Sequence, residues 1–317
     1  MKKNIKVILK IILANIYPSL LINRGTKGTI SARYCYSVWM RHLIYARENG
    51  LCGIPNKVAE FGPGDSIGIG LCALLCGSNE YYSLDYVKHA NAERNLNIFN
   101  ELVEMFKSKT AIPDNFEFPE IVPELEDYSF PDDILADEII ASALDESRIE
   151  RIRNAISSPY PVESNKEKII YIAPWNADDL RIYNIGFVYS QAVLEHIDEL
   201  DAAYASMHKI LAEGGYMSHV IDFKSHNTAV NWNGHWGYTE FLWKVCRGRL
   251  PYLINRCPFS AHIKICEKHK FHFIKIKKSE IPLTEGIKRK RLKYPFVEMS
   301  DDDFTTIDAY ILCRKVD

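Results

Sequence analysis

Short apolar runs of strand length alternate with stretches of helical spacing along most of this chain. Lys57–Phe61, Glu80–Leu84, Lys168–Ala173, Ile185–Ser190 and Tyr216–Phe223 are the runs. Between them apolar residues recur every three or four positions, the period of a helix with one buried face. Ile67, Ile69, Leu71, Leu74 and Leu75 predict a helix from near Ser66. Ala92, Leu96, Phe99, Leu102, Val103 and Phe106 predict another over 87–107. A third, over 200–211, is expected to stop on Gly214-Gly215 as its C-cap. Upstream, 29–49 reads as a helix through Tyr34, Val38, Leu43 and Tyr45. Downstream, a helix over 241–253 carries Arg247 and Arg249. Ile263–Cys266 and Phe271–Ile276 then lead to a last strand, Asp308–Cys313. Strands that alternate with helices predict a parallel sheet covered on both faces.

The rhythm breaks between Ala111 and Pro161. Prolines 113, 119, 123 and 131 separate acidic pieces, and Ile134–Ile156 regains helical spacing. We read 108–165 as an inserted, acidic, mainly helical subdomain beside the sheet, too apolar for a disordered tail. The chain then divides into a basic amphipathic segment, 1–25, and one domain, 26–317, with an acceptor-side loop and helix region at 224–262.

The first strand runs into Glu60-Phe61-Gly62-Pro63-Gly64. Glycines there let the backbone approach a ligand, and the free N–H groups of the next helix face it. The second strand ends at Asp85-Tyr86, where a carboxylate can accept from both hydroxyls of a ribose. A dinucleotide loop needs a third glycine at position 67, which is Ile67. Glu60 suits a ligand with a cationic head and would repel a pyrophosphate.

Glu-x-Gly-x-Gly-x-x-x-Gly followed by an acid at the next strand end resembles the first two motifs of class I S-adenosylmethionine-dependent methyltransferases. Two further blocks extend the resemblance over residues 57–223. After the third strand, Trp175-Asn176-Ala177 stands where that family often has an acid for the adenine amino group and a backbone N–H for a ring nitrogen. Asn176 replaces the commoner Asp, but its side-chain oxygen still accepts. Trp175 covers the adenine face or is an ordinary core aromatic. The run from the fourth strand through Gln191 and Leu194-Glu195-His196 to Leu211-Ala212-Glu213-Gly214-Gly215 resembles the family's later block. The resemblance implies a Rossmann-like, doubly wound, seven-stranded and mostly parallel α/β sheet. It also implies S-adenosyl-L-methionine as cofactor, with S-adenosyl-L-homocysteine as product. Glu60, Phe61, Gly62, Pro63, Gly64, Asp85, Tyr86, Trp175, Asn176, Ala177 and Gln191 would bind it.

Methyl transfer from a sulfonium needs alignment, and a hydroxyl acceptor also needs a base. His196, His219, Asp222, His226 and His235 are the candidates, on or near the ends of strands four and five. His219, mid-strand, fits a core histidine better than a base. Glu195-His196 completes two positions of a Glu-x-x-Glu-His metal motif known in some methyltransferases, but the first position is Ala192, so no metal is assigned. The loop Asn231-Trp232-Asn233-Gly234-His235-Trp236 suits a polyhydroxylated or planar acceptor. A likeness to methyltransferase-domain proteins of bacterial surface-polysaccharide pathways implies a sugar or lipid-linked saccharide.

Composition narrows the alternatives. With a net charge of −2, nothing points to nucleic acid as the main partner. Acids crowd Asp114–Glu150 and bases crowd Lys275–Lys293, as solvated faces or as complementary subunit surfaces of a homo-oligomer. Eight cysteines without a Cys-x-x-Cys pair fit buried thiols in a reducing cytoplasm. Residues 1–22 carry Lys2, Lys3, Lys6 and Lys10 among apolar residues. They form a helix packed on the body or a second subunit, or an in-plane anchor on anionic lipid. The rival functions are a nicotinamide-dependent sugar oxidoreductase or epimerase, disfavoured by Ile67, Glu60 and the lack of a Tyr-x-x-x-Lys pair, and a non-catalytic cofactor-binding scaffold.

Overall fold

Strand β1 (Lys57–Phe61) lies inside a seven-stranded sheet, between β2 (Glu80–Leu84) and β4 (Ile185–Gln191), both parallel to it. The order is β3-β2-β1-β4-β5-β7-β6, with β3 at Lys168–Ile172, β5 at Leu211–Asp222, β6 at Phe271–Glu280 and β7 at Thr306–Lys315. β1 to β5 are parallel, and β7 runs antiparallel to both β5 and β6. The fold is therefore the Rossmann-like, mostly parallel α/β sheet that the sequence predicts. The computed structural model describes residues 2–16, 28–87, 91–158, 166–178, 180–248, 250 and 253–316. Residues 17–25 of the N-terminal segment, 88–90, 159–165 of the insertion, Arg249 and 251–252 lie outside the described residues.

Alternate residues of each strand feed two cores. Val58, Tyr81, Phe187 and Tyr189 face helices α2 (Ala32–Glu48), α3 (Gly68–Leu75) and α4 (Ala92–Lys107), through Trp39, Leu43, Leu71, Leu74, Phe99 and Leu102. Ala59, Phe61, Val188, Met217 and Ile311 face α7 (Leu200–Ile210) and α9 (Phe259–Lys268), through Tyr204, Met207 and Cys266. All eight cysteines are free thiols, most of them buried.

Three expectations are corrected. The α7 helix ends without a glycine cap: Leu211 is already extended and starts β5, and Gly214 (φ +72°) lies at a register shift within that strand. Pairing with β4 outweighs the cap. Ile263–Cys266 belongs to α9, not to a strand. Among its described residues the insertion is not mainly helical: 108–136 form turns and irregular chain, and α5 (Asp137–Ala143) and α6 (Glu146–Ser157) are the regular pieces.

The irregular half of the insertion is held by α2. Arg41, wholly buried, donates to the carbonyls of Pro113 (3.2 Å), Ile121 (2.7 Å) and Pro123 (3.0 Å) and to Asn115 Oδ1 (2.8 Å). Ser37 Oγ and Tyr45 Oη reach the carbonyls of Pro113 and Glu124. One guanidinium thus replaces the ladder that a proline-rich segment cannot form. Arg41→Met should destabilise the protein by about 3 kcal/mol, because several buried carbonyls lose their donor together. Limited proteolysis should then cut first within 113–128, and a wild-type digestion pattern would refute the role given to Arg41.

Candidate active site

The strand order reverses between β1 and β4, and the loops leaving their carboxyl ends bound the crevice where open α/β sheets take ligands. Gly62 (φ +67°) closes the first loop, and its N–H donates to Leu84 O at 2.8 Å. A Cβ at this position would lie 2.6 Å from both methyls of Val193, in the loop after β4. Gly64 (φ +73°) also lies in the left-handed region. Only glycine meets the backbone angle and the close approach together.

Phe61 is buried and packs edge-on against Trp175, with ring centroids 5.0 Å apart. Asp85 follows β2, and its carboxylate accepts from Tyr86 N (2.7 Å) and Tyr171 Oη (3.2 Å). Its main chain ties the loop after β3, since Trp175 N donates to Asp85 O at 3.0 Å. Trp175 is half-buried, Tyr86 and Asn176 are exposed, and Asn176 Oδ1 caps Asp178 N at 3.1 Å. Pro63 is buried and Ala177 half-buried. The predicted nucleoside-binding residues therefore converge on the carboxyl ends of β1, β2 and β3.

Glu60 and Gln191 take other positions. Glu60 shares its sheet face with Val58, so its carboxyl lies beneath α3 at 2% exposure and accepts from Tyr81 and Tyr189. Burial pushes its pKa up to about 8. The expectation that Glu60 meets a cationic ligand group is corrected: it is spent on two tyrosines inside the core. Gln191 Oε1 lies 3.1 Å from His42 Nε2, and His42 Nδ1 lies 2.6 Å from Ser218 Oγ. His42 on α2 is a residue that sequence reasoning missed, because a histidine in a covering helix gives no motif.

The candidate bases separate into two groups. His219 and His235 are wholly buried, each pushed down to about 3 by burial. His219 pairs with Ser190 Oγ at 2.8 Å, and His235 packs on Trp236. Both are core histidines. The other three gather at the ends of β4 and β5. His226 Nε2 lies 3.3 Å from Asp222 Oδ2 and 3.9 Å from Glu195 Oε1, and its ring meets that of His196 edge-on at 5.0 Å. Burial lowers the His226 pKa, but the hydrogen bond to Asp222 and the two carboxylates raise it net. Asp222 is lowered: burial opposes this, and His226 and Lys224 outweigh it.

Glu195 is 3% exposed, and neither carboxylate oxygen has a hydrogen-bond partner among the described residues. Burial pushes it up to about 8. Sequence reading placed it only in an incomplete metal motif. The turn that carries it follows Ala192 (φ +53°), and His226 sits at φ +44°, so non-glycine backbone strain gathers around the cluster. Glu195, His196 and His226 each offer one ligand atom, all within 4.8 Å of one another, a donor set that suits a divalent transition metal. A cavity of about 730 Å³ lies at the opposite end of the sheet, lined by Asn79, Arg148 and Glu167, away from all these groups.

No family model matches the chain, and no curated protein matches it. Several solved structures share its path. The phosphoethanolamine N-methyltransferase 2 of Haemonchus contortus, in complex with S-adenosyl-L-methionine, matches at 12% identity and a TM-score of 0.41, over 88% of this chain and 53% of that one. This chain thus spans about half the length of the Haemonchus protein. A SAM-dependent methyltransferase from Methanosarcina mazei matches at 12% and 0.40, over 86% and 97%. Magnesium protoporphyrin IX methyltransferase from Synechocystis, with SAH bound, matches at 9% and 0.40, over 89% and 83%.

The buried acids and histidines set opposite pH limits. Between the ordinary carboxyl value of 4.5 and about 8, native Glu60 and Glu195 hold protons that the unfolded chain releases, so stability falls as pH rises. Buried His42 (about 4), His219, His235 and His262 (each about 3) refuse protons that the unfolded chain binds below 6.5, so stability also falls on acidification. Melting temperature should therefore peak near pH 6.5. Glu60→Gln should flatten the alkaline limb and, because the Glu60 window extends down to 4.5 and offsets the histidines there, steepen the acid limb in scanning fluorimetry. An unaltered alkaline limb would contradict the raised Glu60 pKa.

Proposed function

We propose that the protein is an S-adenosylmethionine-dependent methyltransferase that acts on a hydroxyl of a sugar or saccharide. One juxtaposition carries the reading: the Gly62–Gly64 loop and Asp85 stand on one side of the switch point, and the Asp222–His226–Glu195 cluster on the other. The residues on the first side fit a nucleoside. The loop admits no side chain at Gly62, Asp85 is a carboxylate at a strand end, and Trp175 offers a half-buried aromatic face. When bound, the cofactor supplies a methyl group on a sulfonium, already activated for displacement.

The chain contributes position and proton transfer. Gly62 and Gly64 let the backbone close on the ligand, and Asp85 takes the ribose hydroxyls. On the facing side, neutral His226, whose Nε2–H is held by Asp222, receives the acceptor's proton at its other ring nitrogen, Nδ1, and Asp222 stabilises the resulting imidazolium. Because Asp222 and Glu195 raise the His226 pKa, activity should rise with pH through that pKa. Asp222→Asn should move this limb to lower pH, and His226→Gln should cost about a hundredfold or more in kcat. An unmoved limb in Asp222→Asn would remove His226 from the role of base.

The reading is tested first by calorimetric titration with S-adenosylhomocysteine and, in parallel, NAD. Micromolar binding of the former, lost in Asp85→Ala, is the expected outcome. Binding of NAD alone would overturn it in favour of the oxidoreductase reading. The convergence of Glu195, His196 and His226 favours one variant, in which these three residues would hold a divalent ion that would supply Lewis-acid activation to the acceptor. Chelation that abolishes activity, with recovery on added Mn²⁺, would select that variant over the histidine base.

A further inference from the structure

Helix α1 (Lys2–Ile16) and helix α8 (Glu240–Arg247) are far apart in sequence and pack together. Ile11 is buried against Cys246 and Leu250, with Val7, Ile8 and Leu242 beside them. This contact uses one face of each helix. A helix that merely covers a protein body turns polar residues outward. α1 does otherwise: Ile5, Leu9 and Leu13, spaced four apart, are about half exposed. On α8, Phe241 is 79% exposed, with Val245 one turn on. Large apolar side chains thus stand in water on both members of the pair.

The charges around this face have one sign. Lys6 and Lys10 are exposed beside the α1 stripe, Lys2 and Lys3 precede them in the sequence, and no acid occurs between Lys2 and Ile16. Lys244 is exposed on α8, where Glu240 is taken by Arg256. A second copy of the same face would bring lysines against lysines. A surface that accepts half-exposed leucines and phenylalanine while attracting lysine is the headgroup region of an anionic bilayer. No helix among the described residues is long and apolar enough to cross a membrane, so the pair would lie in the interface plane.

We propose that α1 and α8 form a docking surface for anionic lipid membranes, with Ile5, Leu9, Leu13, Phe241 and Val245 entering the headgroup region and Lys6, Lys10 and Lys244 pairing with lipid phosphate. The surface is connected to the candidate active site. Arg247 of α8 pairs with Asp198, and Asn255 donates to the carbonyls of Leu194 (2.8 Å) and Ile197 (2.7 Å), which flank Glu195 and His196. If the methyl-transfer reading holds, a lipid-borne acceptor is the substrate class that this connection favours. Docking itself does not depend on that reading.

The test is flotation of the full chain with vesicles of mixed phosphatidylcholine and phosphatidylglycerol, against vesicles of phosphatidylcholine alone. Binding to the anionic vesicles only, fading with salt, is expected. Lys6→Glu with Lys10→Glu should weaken it about tenfold or more, since each lysine near the surface adds appreciably to the attraction. Leu9→Ser with Phe241→Ser should weaken it comparably while the circular dichroism spectrum stays unchanged. Absence of flotation, or equal binding to both vesicle types, would overturn the proposal. So would a concentration-dependent dimer that disappears in the Leu9→Ser, Phe241→Ser variant, because a second copy would then cover the face.

Discussion

The parallel pairing of β1 with β4 is the constraint on which the rest depends. It brings the loop after β1 against the loop after β4, so that Gly62 lies where any side chain would strike Val193. The pairing of β4 with β5 then places the turn bearing Glu195 and His196 beside the end of β5, at Asp222, and the loop that carries His226. Glycine spacing in the first loop answers a demand that the fourth strand makes. Ala192 and His226, both in the left-handed region, show that the backbone on that side is held in costly conformations by its surroundings.

Electrostatics follow from the same packing. Among the buried glutamates, Glu60 and Glu195 have different consequences. Glu60 is satisfied by two tyrosines and behaves as part of the core, closing the underside of the glycine loop. Glu195 lies beside His226 and has no hydrogen-bond donor of its own among the described residues. A fully satisfied buried carboxyl is structural, whereas one held a few ångströms from a histidine at a strand end is poised for a proton or a cation. The contrast selects Glu195 for chemistry, although its neighbour His196 has the plainer sequence signal.

The insertion shows how an irregular, acidic segment can belong to the domain. Its carbonyls are collected by Arg41, Ser37 and Tyr45 on α2. The second half is fastened by Arg148, which donates to Leu74 O and Ser78 O and pairs with Glu167. Acids on its outer surface are the solvated side of a segment held from within by arginine.

Strand positions were legible in the sequence because each is a short, mostly apolar or aromatic run between stretches of helical or turn character: β1 and β2 match their predicted bounds, and β3 and β4 differ by one residue. The glycine loop and Asp85 were legible too, since backbone geometry at a strand end admits few residue types. What the tertiary structure alone decided is which face each side chain takes and who its neighbours are. Glu60 has the sequence signature of a ligand contact, yet strand alternation turns it into the tyrosine-lined core. Of the five candidate bases only His219 was marked by its mid-strand position as a core histidine; packing buried His235 as well and left His196, Asp222 and His226 together. The glycines after α7 resembled a helix cap until strand pairing claimed Leu211 for β5. Local pattern reports backbone form and average burial, whereas a site is made by residues distant in sequence whose meeting depends on strand order and register.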